Sequence, residues 1–198
     1  MAGSSQLVKE LREKTGAGIL DCQKALTENG DDVEKAIDYL RQKGLAAALK
    51  KSGRETNQGL VHAYIHMGGK IGVLIEVNCE TDFVARNEEF KIFVNDLALQ
   101  VAAGKPSYVK REDIPASIIE KERLIYEGQA KEMGKPQAAW PKIVEGKVEK
   151  FFQESCLIEQ SFVKDPAVTI KDLLASKIAK IGENMNIRRF TRYQLGEA

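Results

Sequence analysis

The run Ile71 to Val77, read Ile-Gly-Val-Leu-Ile-Glu-Val, constrains the fold most tightly. On a strand, successive side chains point to opposite faces. Here both faces are apolar apart from Glu76, which predicts a central strand. The stretch before it, Leu60 to Met67, does alternate. Val61, Ala63, Ile65 and Met67 share one face; His62, Tyr64 and His66 share the other. Gly68-Gly69 between the two runs supplies the positive φ that a two-residue hairpin turn requires. A third strand is predicted over Met185 to Leu195, where β-branched and aromatic residues stand among arginines. Its imperfect alternation predicts a bulge or twist.

The central strand runs into a polar corner carrying one aromatic, Asn78-Cys-Glu-Thr-Asp-Phe-Val84. An amphipathic helix is predicted beyond it, about Ala85 to Ala103, striped by Phe90, Phe93, Val94, Leu97 and Val101. Thr81 or Asp82 suits its N-cap, because either side chain can accept from the unpaired N–H groups of the first turn. Phe83 then falls at the start of the helix, and two readings stand open. It lies seven residues before Phe90, near the apolar stripe, which is a core position. A rigidly mounted aromatic at a surface corner instead suits insertion into a partner.

Residues 1–53 predict a small helical domain with a basic linker. Ser5 opens a first helix, which the two glycines of Thr15-Gly-Ala-Gly18 stop. A second carries Ile19, Leu20, Cys22, Ala25 and Leu26 and stops at Asn29-Gly30. A third, opened by Asp31 or Asp32, carries Val33, Ala36, Ile37 and Leu40 and is expected to end before Gly44. Leu45 to Gln58 then reads as a hinge, helical and basic at first and loop-like from Ser52. Ile19 and Leu20, beside the Gly-rich turn, are either buried or an exposed apolar contact. Residues 54–198 hold the hairpin, a helix from about Pro115 to Met133 and another opening between Pro136 and Pro141. A loop follows over Cys156 to Asp165, then a helix after Thr169 and the last strand. The fold class is α+β: a three-helix bundle, then a small three-stranded antiparallel sheet packed with helices. A sheet this small can bury one face and leave the other for a partner or a second copy of the chain.

Composition narrows the function. Lys plus Arg (30) nearly balances Asp plus Glu (29), which argues against a dedicated nucleic-acid binder. No apolar run approaches the roughly 20 residues that cross a bilayer. Three cysteines, Cys22, Cys79 and Cys156, stand far apart, which fits a reducing cytoplasm and no disulfide framework or zinc site. His62 and His66 would stand about 13 Å apart along one strand, too far to share a metal. No nucleophile motif or phosphate loop is present, so neither an enzyme nor a cofactor is expected. These features alone leave a binding module, such as an adaptor docking through the N-terminal bundle.

Three segments carry a family resemblance. They are Leu11-Arg-Glu-Lys-Thr-Gly-Ala-Gly18 with Asp21-Cys22 and Lys24-Ala-Leu26, then Glu76-Val-Asn-Cys-Glu-Thr-Asp-Phe-Val-Ala-Arg86, then Ile181-Gly-Glu-Asn-Met-Asn-Ile-Arg-Arg189. Together they resemble the elongation factor Ts family, guanine-nucleotide exchange factors for the GTPase elongation factor Tu. The resemblance implies an N-terminal domain of the ubiquitin-associated (UBA-like) type that docks on elongation factor Tu through Arg12, Ile19, Leu20 and Lys24. Gln23 stands where some members have a lysine. Thr81, Asp82, Phe83 and Val84 are implied to form the element that dislodges magnesium, with Phe83 as the wedge. The chain is similar to the short form of the family, with one hairpin. His66 is placed like a partner-contacting histidine of long members, and a homodimer through the open sheet face is the implied architecture.

Overall fold

The computed structural model describes residues 5–134 and 136–197. Helices α1 (Ser5–Thr15), α2 (Ile19–Glu28) and α3 (Val33–Lys51) come first. Strands β1 (Gln58–Ile65) and β2 (Ile71–Cys79), helices α4 (Asp82–Arg86) and α5 (Glu88–Gly104), then α6 (Ala116–Glu132) and α7 (Trp140–Ser155) follow. Strands β3 (Ser161–Phe162) and β4 (Asp165–Thr169), helix α8 (Ile170–Ile181) and strand β5 (Met185–Gln194) complete the order. The antiparallel three-stranded sheet has the order β1-β2-β5, so β2 is central as its apolar run predicts. The fold is therefore α+β, with helices at the N-terminus. The chain divides into two compact units. One takes in the chain up to Val61, Glu76–Val94 and Lys171–Ile187; the other takes in His62–Ile75, Asn95–Ile170 and Arg188 onward.

In the first unit, α1, α2 and α3 close around Leu11, Cys22, Ala25, Leu26 and Ala36, all fully buried. Gly16 (φ 65°) and the pair Gly30 (φ 64°) and Asp31 (φ 62°) take the left-handed conformations that end α1 and α2. Asp32, not Asp31, caps α3, accepting from Lys35 N–H at 3.1 Å. The predicted stop before Gly44 is corrected: α3 runs on to Lys51. Leu45-Ala-Ala-Ala-Leu are strong helix formers, and α3 packs on α8, which outweighs one glycine. Arg41 pairs with the buried carboxylate of Asp172 at 2.6 Å, and Lys51 Nζ donates to the Ile178 carbonyl at 3.4 Å. In the same unit Glu89, at the start of α5, accepts from Lys177 (2.9 Å) and Lys180 (2.7 Å) of α8. Burial acts to raise the Glu89 carboxyl, but the two ammonium groups outweigh it and hold the group below its usual range.

In the second unit, Arg111 sits over the Phe152 ring and pairs with Glu149 and Glu159, tying α7 to the segment before α6. Buried Gln100 donates to Gln160 Oε1 (2.9 Å) and to the Ser161 carbonyl (3.2 Å), and accepts from Val163 N–H (2.8 Å). That anchor organises the predicted loop after Cys156 into a 3-10 turn and the β3–β4 hairpin. The turn between β1 and β2 is longer than predicted. His66 N–H donates to the Ile71 carbonyl at 2.9 Å, closing a four-residue connection in which Gly68 and Gly69 both have positive φ.

The two faces of the sheet differ in cover. Val73, Ile75, Val77 and Cys79 of β2 are buried, but Leu74 is half exposed, so one face of this central strand lacks cover. In β1 the polar side is the half-buried one, with His62 Nε2 3.3 Å from Asn95 Oδ1. Its apolar partners Val61 and Ile65 point outward, as do Met67, Tyr193 and Leu195. An apolar run thus marks a central strand without requiring that the chain's own helices cover both of its faces.

Candidate partner-binding surface

Strand β2 ends at Cys79, and two residues later the chain turns into α4. Thr81 is the cap: its backbone is extended (φ −125°, ψ 157°) and Oγ1 accepts from Val84 N–H at 3.4 Å. Asp82 is the first helical residue and pairs with Arg86 at 2.9 Å. Val84 is 9% exposed and pins the helix inward, while Phe83 is 82% exposed. Consecutive residues of a helix point about 100° apart, so anchoring Val84 turns Phe83 away from the core. The single predicted helix from Ala85 is two helices. Asn87 leaves the helical region (ψ 134°) and restarts the chain as α5, its Oδ1 accepting from Glu89 N–H at 2.7 Å. That break removes the basis of the core reading for Phe83, because seven-residue spacing aligns side chains only along one unbroken helix.

The corner is held from a distance. Thr81 N–H donates to Glu183 Oε2 at 3.0 Å, and Thr81 Oγ1–H donates to Glu183 Oε1 at 2.6 Å. Glu80 Oε1 accepts from the Asn184 N–H at 2.5 Å and from Arg54 at 3.4 Å. Asn184 Nδ2 donates to the Arg54 carbonyl at 2.8 Å. Cys79 lies beneath, its thiol 3.2 Å from the Thr81 carbonyl and pushed up to about 11, chiefly by burial and then by the charge of Glu183. Glu183 and Asn184 stand in the third sequence motif, and the only signal for them in the sequence was that motif itself.

The other predicted contact residues fall in two places. Arg12 is exposed on α1, and at the start of α2 Ile19 and Leu20 are exposed, Leu20 at 80%. Ala17 packs against the core of the bundle and Cys22 lies within it, leaving Ile19 and Leu20 to face outward. Lys24 is exposed beside Glu28 at 3.6 Å, and Gln23 is half-buried. His66 belongs to the other unit, just past β1, with Nδ1 3.0 Å from the Tyr64 hydroxyl. Among the described residues there is no cluster of three or more metal-ligating side chains, and no helix is long and apolar enough to cross a membrane.

Among the described residues the surface thus offers two contact features: an apolar pair on a helical bundle, and one phenylalanine held on a braced corner. Residues 5–197 match the family model described as Elongation factor TS. The chain is 63% identical over 194 residues to a protein of Carboxydothermus hydrogenoformans named Elongation factor Ts, covering 98% of this chain and 89% of that one. It is 60% identical to the protein of that name from Thermoanaerobacter sp., covering 98% of this chain and 95% of that one. It is 56% identical to the one from Geobacter sulfurreducens, covering 100% of this chain and 91% of that one. The chain belongs to the elongation factor Ts family, whose work lies in translation elongation.

Proposed function

We propose that this chain is a guanine-nucleotide exchange factor that binds elongation factor Tu in its GDP state, dislodges magnesium and speeds GDP release so that GTP can bind. It transforms no substrate itself. The observation that carries the reading is the projection of Phe83 from a helix capped by Thr81 and anchored by Val84. A GTPase holds its nucleotide through backbone N–H groups at the phosphates and through the magnesium ion, often the largest local charge. A ring driven between partner elements that carry those groups removes the contacts without any chemistry. By linkage, the factor weakens GDP binding by the factor by which GDP weakens its own.

Two regions divide the work. The domain of residues 1–53 docks through Arg12, Ile19, Leu20 and Lys24, and the domain of residues 54–198 carries the wedge. Val84 serves as the anchor under Phe83, and Asp82, held by Arg86 in the free chain, remains at the rim where partner charges can compete for it. The chain works in the cytoplasm as a homodimer, with a second copy on the outward sheet face and His66 contributing to partner contact. The outward Ile65, Leu74 and Tyr193 support that face, because exposed apolar side chains on a sheet favour a protein cover. The direct test is release of a fluorescent GDP analogue from elongation factor Tu with catalytic amounts of this protein. Strong acceleration is expected. A confirmed complex without acceleration would leave a docking adaptor only. Sedimentation of the free protein at micromolar concentration tests the dimer, and a monomer would refute it.

A further inference from the structure

The third sequence motif, Ile181 to Arg189, has no part in the exchange reading above, yet its Glu183 and Asn184 meet the Phe83 corner. We infer that Glu183 is a positioning residue for nucleotide exchange: its carboxylate fixes the turn from which Phe83 projects. This rests on the proposed exchange function and assigns the brace behind it. A helix of five residues has too few internal hydrogen bonds to hold itself. Its direction is set by its cap, and Glu183 takes both donors of the cap residue, Thr81 N–H at 3.0 Å and Thr81 Oγ1–H at 2.6 Å. One carboxylate thereby sets both the backbone and the rotamer of Thr81. The same hydroxyl oxygen accepts from Val84 N–H, the residue after the wedge. The next residue of the motif completes the brace, since Asn184 N–H is bound to Glu80 and Asn184 Nδ2 to the Arg54 carbonyl. Glu80 and Thr81 are thus both held by residues more than a hundred positions later in the chain. A wedge displaces partner contacts only if it does not yield. On a loose turn, Phe83 would relax into the partner, or lose the entropy of ordering the turn at each encounter.

The test is Glu183→Gln, which keeps the shape and one acceptor oxygen but turns an NH2 group toward a Thr81 donor. Release of fluorescent GDP from elongation factor Tu is followed across factor concentrations. The expected result is a maximum rate lowered about tenfold, as for loss of a charge-assisted bond, with the half-saturating concentration within about twofold of the parent. In a Phe83→Ala background, Glu183→Gln should cause no further loss, because a positioning residue acts through the group it positions. Thr81→Val keeps the backbone bond, removes the hydroxyl, and should reproduce part of the loss if Glu183→Gln does not fold. Three results overturn the inference. One is an unchanged maximum rate for folded Glu183→Gln while Phe83→Ala is slow. Another is an equal loss from Glu183→Gln with and without Phe83. The third, no effect of Phe83→Ala itself, removes the exchange reading first and the brace with it.

Discussion

Truncating Phe83 tests function with little disturbance of folding. The ring is 82% exposed in the free protein, so Phe83→Ala removes little native packing and should alter stability by less than about 0.5 kcal/mol. Full burial of a phenylalanine is worth about 1.5–3 kcal/mol. Scaled by the 82% still exposed, the partner regains about 1.2–2.5 kcal/mol. If that energy is realised only where GDP contacts are broken, its loss slows GDP release about eight- to seventyfold while the dock still holds. The assay is stopped-flow release of a fluorescent GDP analogue under saturating factor, with complex formation measured by calorimetry on nucleotide-free elongation factor Tu. A Phe83→Ala variant that melts like the parent, binds equally well and releases GDP at the parent rate would refute the wedge.

Ile19→Asp places a charge in the apolar pair of α2, exposed in the free chain. The half-saturating concentration should rise at least about tenfold with the maximum rate preserved, and a fall in maximum rate alone would show that the bundle is not the dock. Gly44→Ala should stabilise the protein by about 0.5–1 kcal/mol, because the added Cβ would stand 3.8 Å from the Ala175 carbonyl, an ordinary contact. A lower melting temperature would show that α3 and α8 cannot accept it. Glu89→Gln should cost about 1 kcal/mol at pH 7 in urea unfolding. The native carboxyl lies below its ordinary value of 4.5, so its contribution is complete above that pH and fades as pH falls through the lowered native value. Parent and variant should therefore converge in acid, and a gap that persists at pH 2 would mean the loss is packing rather than charge.

Much of this chain is legible locally. The glycine and aspartate punctuation of the first 35 residues sets three helices, because left-handed turns and a side-chain cap act within a few residues. The apolar run Ile71 to Val77 identifies the central strand, and Thr81 or Asp82 marks the corner, of which the fold uses Thr81. Elsewhere a non-local contact outweighs a local signal. Gly44 suggested a helix end, but packing on α8 carries α3 through it. The loop after Cys156 holds a hairpin because Gln100, some sixty residues earlier, binds it.

Phe83 marks the boundary between what sequence determines and what tertiary structure decides. Its sequence determines an aromatic just inside a helix start, and the surrounding motif determines the family resemblance. Spacing could not determine whether the ring is core or surface, because that inference assumes one continuous helix, and Asn87 breaks it. Only the folded chain anchors Val84, turns Phe83 outward and brings Glu183 to Thr81. The physical reason is range: propensities and caps act over a turn or two, whereas the brace behind the corner joins residues that are neighbours only after folding.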